Sequence, residues 1–318
     1  MADPDDKSLS GSKQALFLLL VLAALVASLE VAARFMFHLP EIDRGIYQYA
    51  ADPDLVYEHK PSSASTKDNN TYRINAQGLH ADREYALSKP PGVFRIGIVG
   101  DSVAFLSSGK NYARILQEML DARKSAVHAG FEVLDFSVSG YNSAQEQIVI
   151  QDKVLAFDPD LVLVGYCVND MTFTDGVKGL ERTRHPSSLG PMFHSSFLTM
   201  IQHRCYRFRF NWSKKYPGYP DVDAFFAYLK ALDQGTDAQV LLLLFPRFAG
   251  SGYENHELEE PLKLAKKHGL DVMDQHALLG GADTRPLKLA PPFDNYHLNE
   301  TGHRHVAQRI YDRIKDGL

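Results

Sequence analysis

The chain has 318 residues, 45% of them hydrophobic and 23% charged, which is enough for a well-buried α/β core and too apolar for a disordered chain. A formal net charge of -5 excludes the basic footprint of a nucleic-acid-binding protein. Two cysteines, Cys167 and Cys205, make neither a metal cluster nor a disulfide framework.

After a tail over residues 1–14, the run "ALFLLLVLAALVASLEVAARFMF" spans Ala15 to Phe37 and is broken only by Ser28, Glu30 and Arg34. As a helix it measures roughly 35 Å, more than the bilayer core of about 30 Å. Glu30 is tolerable near its end because Arg34 follows one turn on. Residues 15–37 are therefore predicted to be an uncleaved transmembrane anchor whose partner is a lipid bilayer. A cleaved signal peptide is the second reading, with "LVAS" and "EVAA" as weak cleavage sites. A buried or surface-lying helix is the third. Lys7 and Lys13 before the run, and Arg34 and Arg44 after it, set no orientation by the positive-inside rule.

Residues 38–93 are dense in turn formers ("KPSSASTKDNN", "NAQG", "SKPPG") and read as an irregular lead-in. Short extended pieces are expected around Ile46–Tyr49 and Thr71–Ile74, with Ser62–Asn70 a flexible tip. From Phe94 the pattern becomes regular. "FRIGIVGD" is a strand, and Asn111–Lys124 an amphipathic helix. Phe131–Gly140 is a second strand. Ser143–Phe157 is a helix opened by a capping box of Ser143 and Glu146. Pro159–Asp170 is a third strand. An insertion over 171–221 carries a helical piece around Ser196–Phe210. Val222–Gln234 is a helix, Ala238–Pro246 a strand, and Leu258–Gly269 a helix closed by Gly269. "LDVMD" is a short fifth strand, and "NETGHRHVAQRIYDRIKDG" the closing helix. The strands are continuously apolar and alternate with helices. That predicts a three-layer α/β/α sandwich with a mainly parallel five-stranded sheet over residues 94–318.

In an open parallel sheet, ligands sit outside the carboxyl ends of the strands. Those ends carry Asp101-Ser102, Gly140-Tyr141-Asn142 and Asn169-Asp170, and "FDNYHLNETGH" with Asp294 and His297 precedes the last helix. A hydroxyl, a backbone N–H, an amide, an imidazole and a carboxylate are the parts that acyl transfer through a serine requires. Each has a plainer reading. Gly100-Asp101-Ser102 is also a turn with a helix cap, Gly140 a turn glycine, Asn169 a cap, and His297 a surface histidine. His303 and His305 compete for the role of base. It is the coincidence of all these residues at one edge that favours chemistry. A nucleotide-binding Rossmann domain is a poorer reading, because "GIVGDS" lacks G-x-G-x-x-G and has no P-loop lysine.

Taken together, "GDS" at 100–102, "SVSGYNS" at 137–143, "VND" at 168–170 and "DNYH" at 294–297 resemble the four blocks of the SGNH hydrolases, the GDSL-type lipase/esterase superfamily, with its flavodoxin-like sheet. The resemblance implies Ser102 as nucleophile, His297 as base and Asp294 as its orienting acid. The Ser102 and Gly140 N–H groups and the Asn169 amide would form the oxyanion hole, with Asp101 and Asp170 in support. It makes His303 a helix residue outside the triad, and implies no cofactor and no metal. The anchor followed by "YRINAQGLHADRE" resembles a membrane-anchored bacterial branch, which implies a catalytic domain on the periplasmic or extracellular side. "GLHA" and "SVAFLSSGK" depart from the family pattern, the second in a loop that frames the substrate.

The expected function is hydrolysis of a carboxylic ester, with an O-acylated glycan or a lipid as candidate substrate. An O-acyltransferase with the same triad is the alternative, and a non-catalytic scaffold of the same fold the third reading. Val103–Phe105 are expected to wall the acyl pocket. Tyr141, Asn142 and the stretch Tyr206–Tyr219 would line an acceptor groove. The basic run "HRCYRFRFNWSKK" from His203 to Lys215 reads first as a helix with a solvated basic side. Proximity to a membrane surface or an anionic ligand is its alternative reading.

Overall fold

The computed structural model describes residues 11–36, 45–52, 54–55, 57–67, 70–123, 125–167, 195, 197–198, 201, 221–248, 258–276, 284–290 and 294–318. The chain divides into two compact units, Met1–Glu41 with Pro186–Lys214, and Ile42–His185 with Lys215–Leu318.

In the first unit, α1 (Gly11–Met36) is exposed from Gly11 to Leu29. Its stretch Gly11–Phe35 is long and apolar enough to cross a membrane. Arg34 Nε donates to Glu30 Oε1 at 2.9 Å, the pairing expected one turn apart.

The second unit is built on five parallel strands: β5 (Val93–Gly100), β6 (Gly130–Asp135), β7 (Leu161–Cys167), β8 (Gln239–Phe245) and β9 (Asp271–Asp274), in the order β6-β5-β7-β8-β9. Alternate residues of each strand point to opposite faces, and both faces are apolar. Val99, Val162, Val164, Leu242 and Leu244 pack on one side, where α4 (Ser143–Val149) and α5 (Val222–Gly235) lie. Ile96, Ile98, Leu163, Leu241 and Leu243 pack on the other, under α3 (Tyr112–Asp121) and α7 (Glu300–Ile314). The expected three-layer sandwich is the fold observed. Helix α6 (Glu259–His268) ends as predicted at Gly269, whose φ of +64° lets its N–H reach back to Ala265 O and Lys266 O.

Three local expectations change. The lead-in is ordered as two antiparallel pairs, β1 (Tyr47–Tyr49) with β2 (Tyr57–His59), and β3 (Ser63–Lys67) with β4 (Asn70–Ile74). Most of the stretch read as a flexible tip is thus a paired strand. The cap of α4 lies one residue earlier than predicted. Asn142, not Ser143, accepts from Ala144 N and Gln145 N at 3.1 and 3.2 Å, and Gln145, not Glu146, closes the box. The helix then widens into a π-helical turn at Ile150–Val154 and tightens over Leu155–Phe157. Of the insertion, only Ser195, Phe197, Leu198, Ile201 and Asp221 are described, so the helix expected to Phe210 lies mostly outside the described residues.

At the amino ends of the strands, Arg95 is buried completely. Its Nε and Nη2 donate to Glu132 Oε2 at 2.8 and 2.6 Å, and its Nη1 and Nη2 to the carbonyls of Leu87 and Ala86 at 3.0 Å each. Nη1 also donates to Phe157 O.

Candidate active site

From Ile96 strand β5 runs apolar to Gly100 and then meets a one-turn helix, α2 (Ser102–Phe105). Gly100 stands opposite Gly165 of β7. A Cβ at Gly100 would lie 2.9 Å from Ala104 Cβ and 3.3 Å from Gly165 O, so only glycine lets α2 fold back this closely. Asp101 caps α2 by accepting from Val103 N at 2.8 Å, the turn-fixing role expected of it. Asp101 Oδ2 also accepts from Cys167 Sγ at 3.5 Å and lies 3.4 Å from Ser102 Oγ.

Asp294, Tyr296 and His297 come from the connection before α7, nearly two hundred residues away in sequence. Asp294 Oδ1 accepts the backbone N–H groups of Tyr296 and His297 at 3.0 and 2.8 Å. Leu289 N donates to His297 O at 2.8 Å, and Phe248 N to Asn295 O at 3.0 Å, which fastens the turn on both sides. His297 Nδ1 then meets Asp294 Oδ2 at 2.9 Å, and His297 Nε2 meets Ser102 Oγ at 2.8 Å. With Nδ1–H donated to the carboxylate, the Nε2 lone pair is left to accept the serine hydroxyl. Burial would raise the Asp294 carboxyl. The hydrogen bond and charge of His297, with the two backbone N–H groups, outweigh it and hold the group below the ordinary carboxylate range.

Gly140 takes φ +86°, open to glycine without strain. Its loop is tied to the end of β5 by Val138 N donating to Gly100 O at 3.0 Å. Asn169 and Asp170, expected as oxyanion donor and support, lie outside the described residues, as do Cys205 and Tyr206–Tyr219.

The competing histidines separate clearly. His303 is buried completely. Its Nδ1 accepts from Tyr112 N at 3.2 Å, and its Nε2 donates to Leu106 O at 2.7 Å. Burial pushes its pKa down to about 4, so it is a neutral pin between α7, α3 and the end of α2. His305 is exposed on α7.

Two expectations about the pocket are corrected. Val103, Ala104 and Phe105 are buried and wall no pocket among the described residues. The Phe105 ring lies 4.9 Å from His59, 5.0 Å from Tyr72 and 4.7 Å from His80, centroid to centroid, so the lead-in clamps α2. Tyr141 is likewise buried with its hydroxyl on Tyr57 O, and Asn142 is spent on the cap. Neither lines an acceptor groove.

Glu146 is the residue that the sequence reading misplaced. Freed from the cap, it turns inward and is buried completely, with neither oxygen hydrogen-bonded among the described residues. Burial first, and the negative charge of Asp101 second, push its carboxyl well above the ordinary value. The signal for it was weak: it lies one position beyond the glutamine that serves the cap.

A parallel α/β/α sandwich with a hydroxyl–imidazole–carboxylate chain at the carboxyl edge has the form of a flavodoxin-like SGNH hydrolase. Residues 98–305 match the GDSL-like Lipase/Acylhydrolase family, more than half of the chain, and the chain belongs to that family. It is similar to the lipase/acylhydrolase from Enterococcus faecalis at 17% identity and a TM-score of 0.47, over 71% of this chain and 97% of that one. It is also similar to an acetylxylan esterase from Geobacillus stearothermophilus, in a catalytic mutant, at 15% identity and a TM-score of 0.46, over 70% and 94% of the two chains. No curated protein matches the sequence.

Proposed function

We propose that this protein is a membrane-tethered serine esterase that hydrolyses carboxylic esters through an acyl-enzyme on Ser102. The observation that carries the reading is the unbroken chain from Asp294 through His297 to Ser102, at 2.9 and 2.8 Å. His297 Nε2 takes the Ser102 proton as Oγ attacks the ester carbonyl, and Asp294 stabilises the imidazolium. The Ser102 and Gly140 N–H groups and the Asn169 amide receive the oxyanion. The imidazolium then protonates the leaving alcohol, the acyl group stays on Oγ, and water activated by His297 releases the acid. Loss of one oxyanion donor in such a site costs about 3–4 kcal/mol of barrier. In this reading α1 anchors the chain in the bilayer, and the catalytic domain works on the periplasmic or extracellular side.

The test is a fluorophosphonate probe on full-length protein, with hydrolysis measured on short acyl esters, O-acetylated polysaccharides and acyl lipids. The wild type takes up the probe and releases free acid, whereas Ser102→Ala does neither. Equal labelling of the two proteins would end the proposal. A transferred acyl group in place of free acid would replace hydrolysis with acyl transfer.

A further inference from the structure

Gly140 sits in a tight turn. Tyr141 N donates to Val138 O at 3.2 Å, which closes a β-turn over Val138, Ser139, Gly140 and Tyr141. Gly140, the third residue, takes φ +86°, and a positive φ at that place is the mark of a type II turn. Type I and type II turns differ by a half-rotation of the central peptide, which here joins Ser139 to Gly140. Glycine accepts either sign of φ. The residue that makes this turn possible therefore does not select which way its peptide faces.

A residue of the lead-in holds that peptide. Tyr57, in β2, is buried completely, and its hydroxyl donates to Ser139 O at 2.8 Å. Its own carbonyl accepts from the Tyr141 hydroxyl, and the two rings meet edge-on with centroids 5.3 Å apart. Tyr57 thus grips the turn on either side of Gly140. In a planar trans peptide the C=O and N–H point in opposite directions. A hydroxyl that fixes Ser139 O therefore fixes the direction of the Gly140 N–H, and by polarising the peptide it strengthens that N–H as a donor. A flip would turn the carbonyl to where the N–H now points and take the acceptor from a buried hydroxyl.

We propose that Tyr57 is a positioning residue for ester hydrolysis: its hydroxyl holds the Ser139–Gly140 peptide in the orientation that presents the Gly140 N–H to the oxyanion. The inference rests on the reading of Gly140 as an oxyanion donor at Ser102. It gives the lead-in a part in the chemistry, because Tyr57 lies outside residues 98–305, which match the family.

The test compares Tyr57→Phe with Tyr85→Phe, which removes another buried hydroxyl of the lead-in, bonded to Val133 O at 3.0 Å. Full-length protein is assayed on p-nitrophenyl acetate and inhibited with phenylboronic acid, which adds the Ser102 oxygen and sets a B–OH group where the oxyanion forms. Removing an oxyanion donor outright costs about 10^2–10^3 in kcat, so leaving one free to turn should cost less. For Tyr57→Phe, kcat should fall about tenfold with KM within about twofold of wild type. The Ki of phenylboronic acid should rise by the same factor. Tyr85→Phe should change neither. Gly140→Ala, which disfavours the positive φ, should lower kcat and boronate affinity together. It carries the test if Tyr57→Phe lacks the native circular-dichroism spectrum. A kcat and Ki within about twofold of wild type in the tested variant overturn the proposal, and so do equal losses in Tyr57→Phe and Tyr85→Phe. Ser102→Ala separates the two ways to fail. If it abolishes hydrolysis while Tyr57→Phe is unaffected, only the role of Tyr57 falls. If it hydrolyses as wild type does, the esterase reading falls and takes this inference with it.

Discussion

At the amino ends of the strands, Arg95 is fully buried and all three of its side-chain nitrogens are engaged. Near the carboxyl ends, Glu146 is equally buried, and neither of its oxygens is bonded among the described residues. Burying an ion costs several kcal/mol unless partners replace its water. Arg95 has those partners in Glu132 and three carbonyls, and it staples the lead-in to the sheet. Among the described residues Glu146 lacks them, and burial, with the charge of the Asp101 that caps the helix of Ser102, pushes its carboxyl well above the ordinary value. One end of the sheet uses buried charge to hold structure. The other buries a carboxyl with no bonded partner among the described residues, where burial opposes its ionisation.

The largest expected effects fall on the carboxyl end and are catalytic. His297→Ala should lower kcat/KM on the short-ester assay by about 10^4-fold or more, and Asp294→Asn by about 10^4-fold through the wrong imidazole tautomer. Neither should shift the urea midpoint greatly. An Asp294→Asn enzyme within tenfold of wild type would show that the observed chain is not the catalytic one. Arg95→Met should do the reverse. It strands Glu132 and the Leu87, Ala86 and Phe157 carbonyls, and should cost about 3–5 kcal/mol in urea unfolding. The turnover of each molecule that remains folded should be unchanged. A loss of kcat without loss of stability would break the division between the two ends.

The sheet and the Ser102–His297–Asp294 chain were legible in the sequence, but this contrast between buried charges was not. The five strands and Ser102, Asp294 and His297 could be read because each rests on a local pattern: an apolar run, a glycine before a polar step, or a D-x-x-H turn. The orientations of Phe105, Tyr141 and Glu146 could not. Phe105 follows Ser102 closely in sequence, yet it faces His59, Tyr72 and His80 of the lead-in, contacts that no local pattern encodes. Glu146 was assigned to a capping box because Ser143 and Asn142 are both good caps. A shift of one residue turned a surface carboxylate into a buried one.

His303 lies between the two extremes, buried like Glu146 and bonded like Arg95. Its neutral form uses both nitrogens, and a second proton would face the Tyr112 N–H that Nδ1 already accepts. With its folded pKa pushed down to about 4 from an ordinary value near 6.5, the unfolded chain binds a proton that the native state refuses. Its stabilisation is complete above about pH 6.5 and is lost as pH falls towards 4, by up to about 1.4 kcal/mol per pH unit. His59, pushed by burial to about 3, adds a second proton of the same sign. His303→Gln should therefore reduce the slope of urea stability against pH in the acid limb without flattening it. An unchanged slope would mean that His303 titrates normally.

Glu146→Gln should have the smallest effect on activity, and it probes the comparison most directly. The substitution keeps the shape of the neutral acid and removes only its ability to ionise, so kcat should stay within about threefold of wild type. The sign of the linkage is opposite to that of His303. Above about pH 4.5 the unfolded chain releases a proton that native Glu146 retains, so wild-type stability falls with rising pH by up to about 1.4 kcal/mol per unit relative to Glu146→Gln. The gap between the two proteins should widen as the pH is raised above about 4.5 in urea titrations. The infrared carbonyl band of a protonated carboxylic acid should be present in the wild type at neutral pH and absent from the variant. If the stability curves instead run parallel, Glu146 is ionised in the native state. The carboxyl end would then hold an unpaired charge, and the contrast with Arg95 would be one of accessible water, not of protonation.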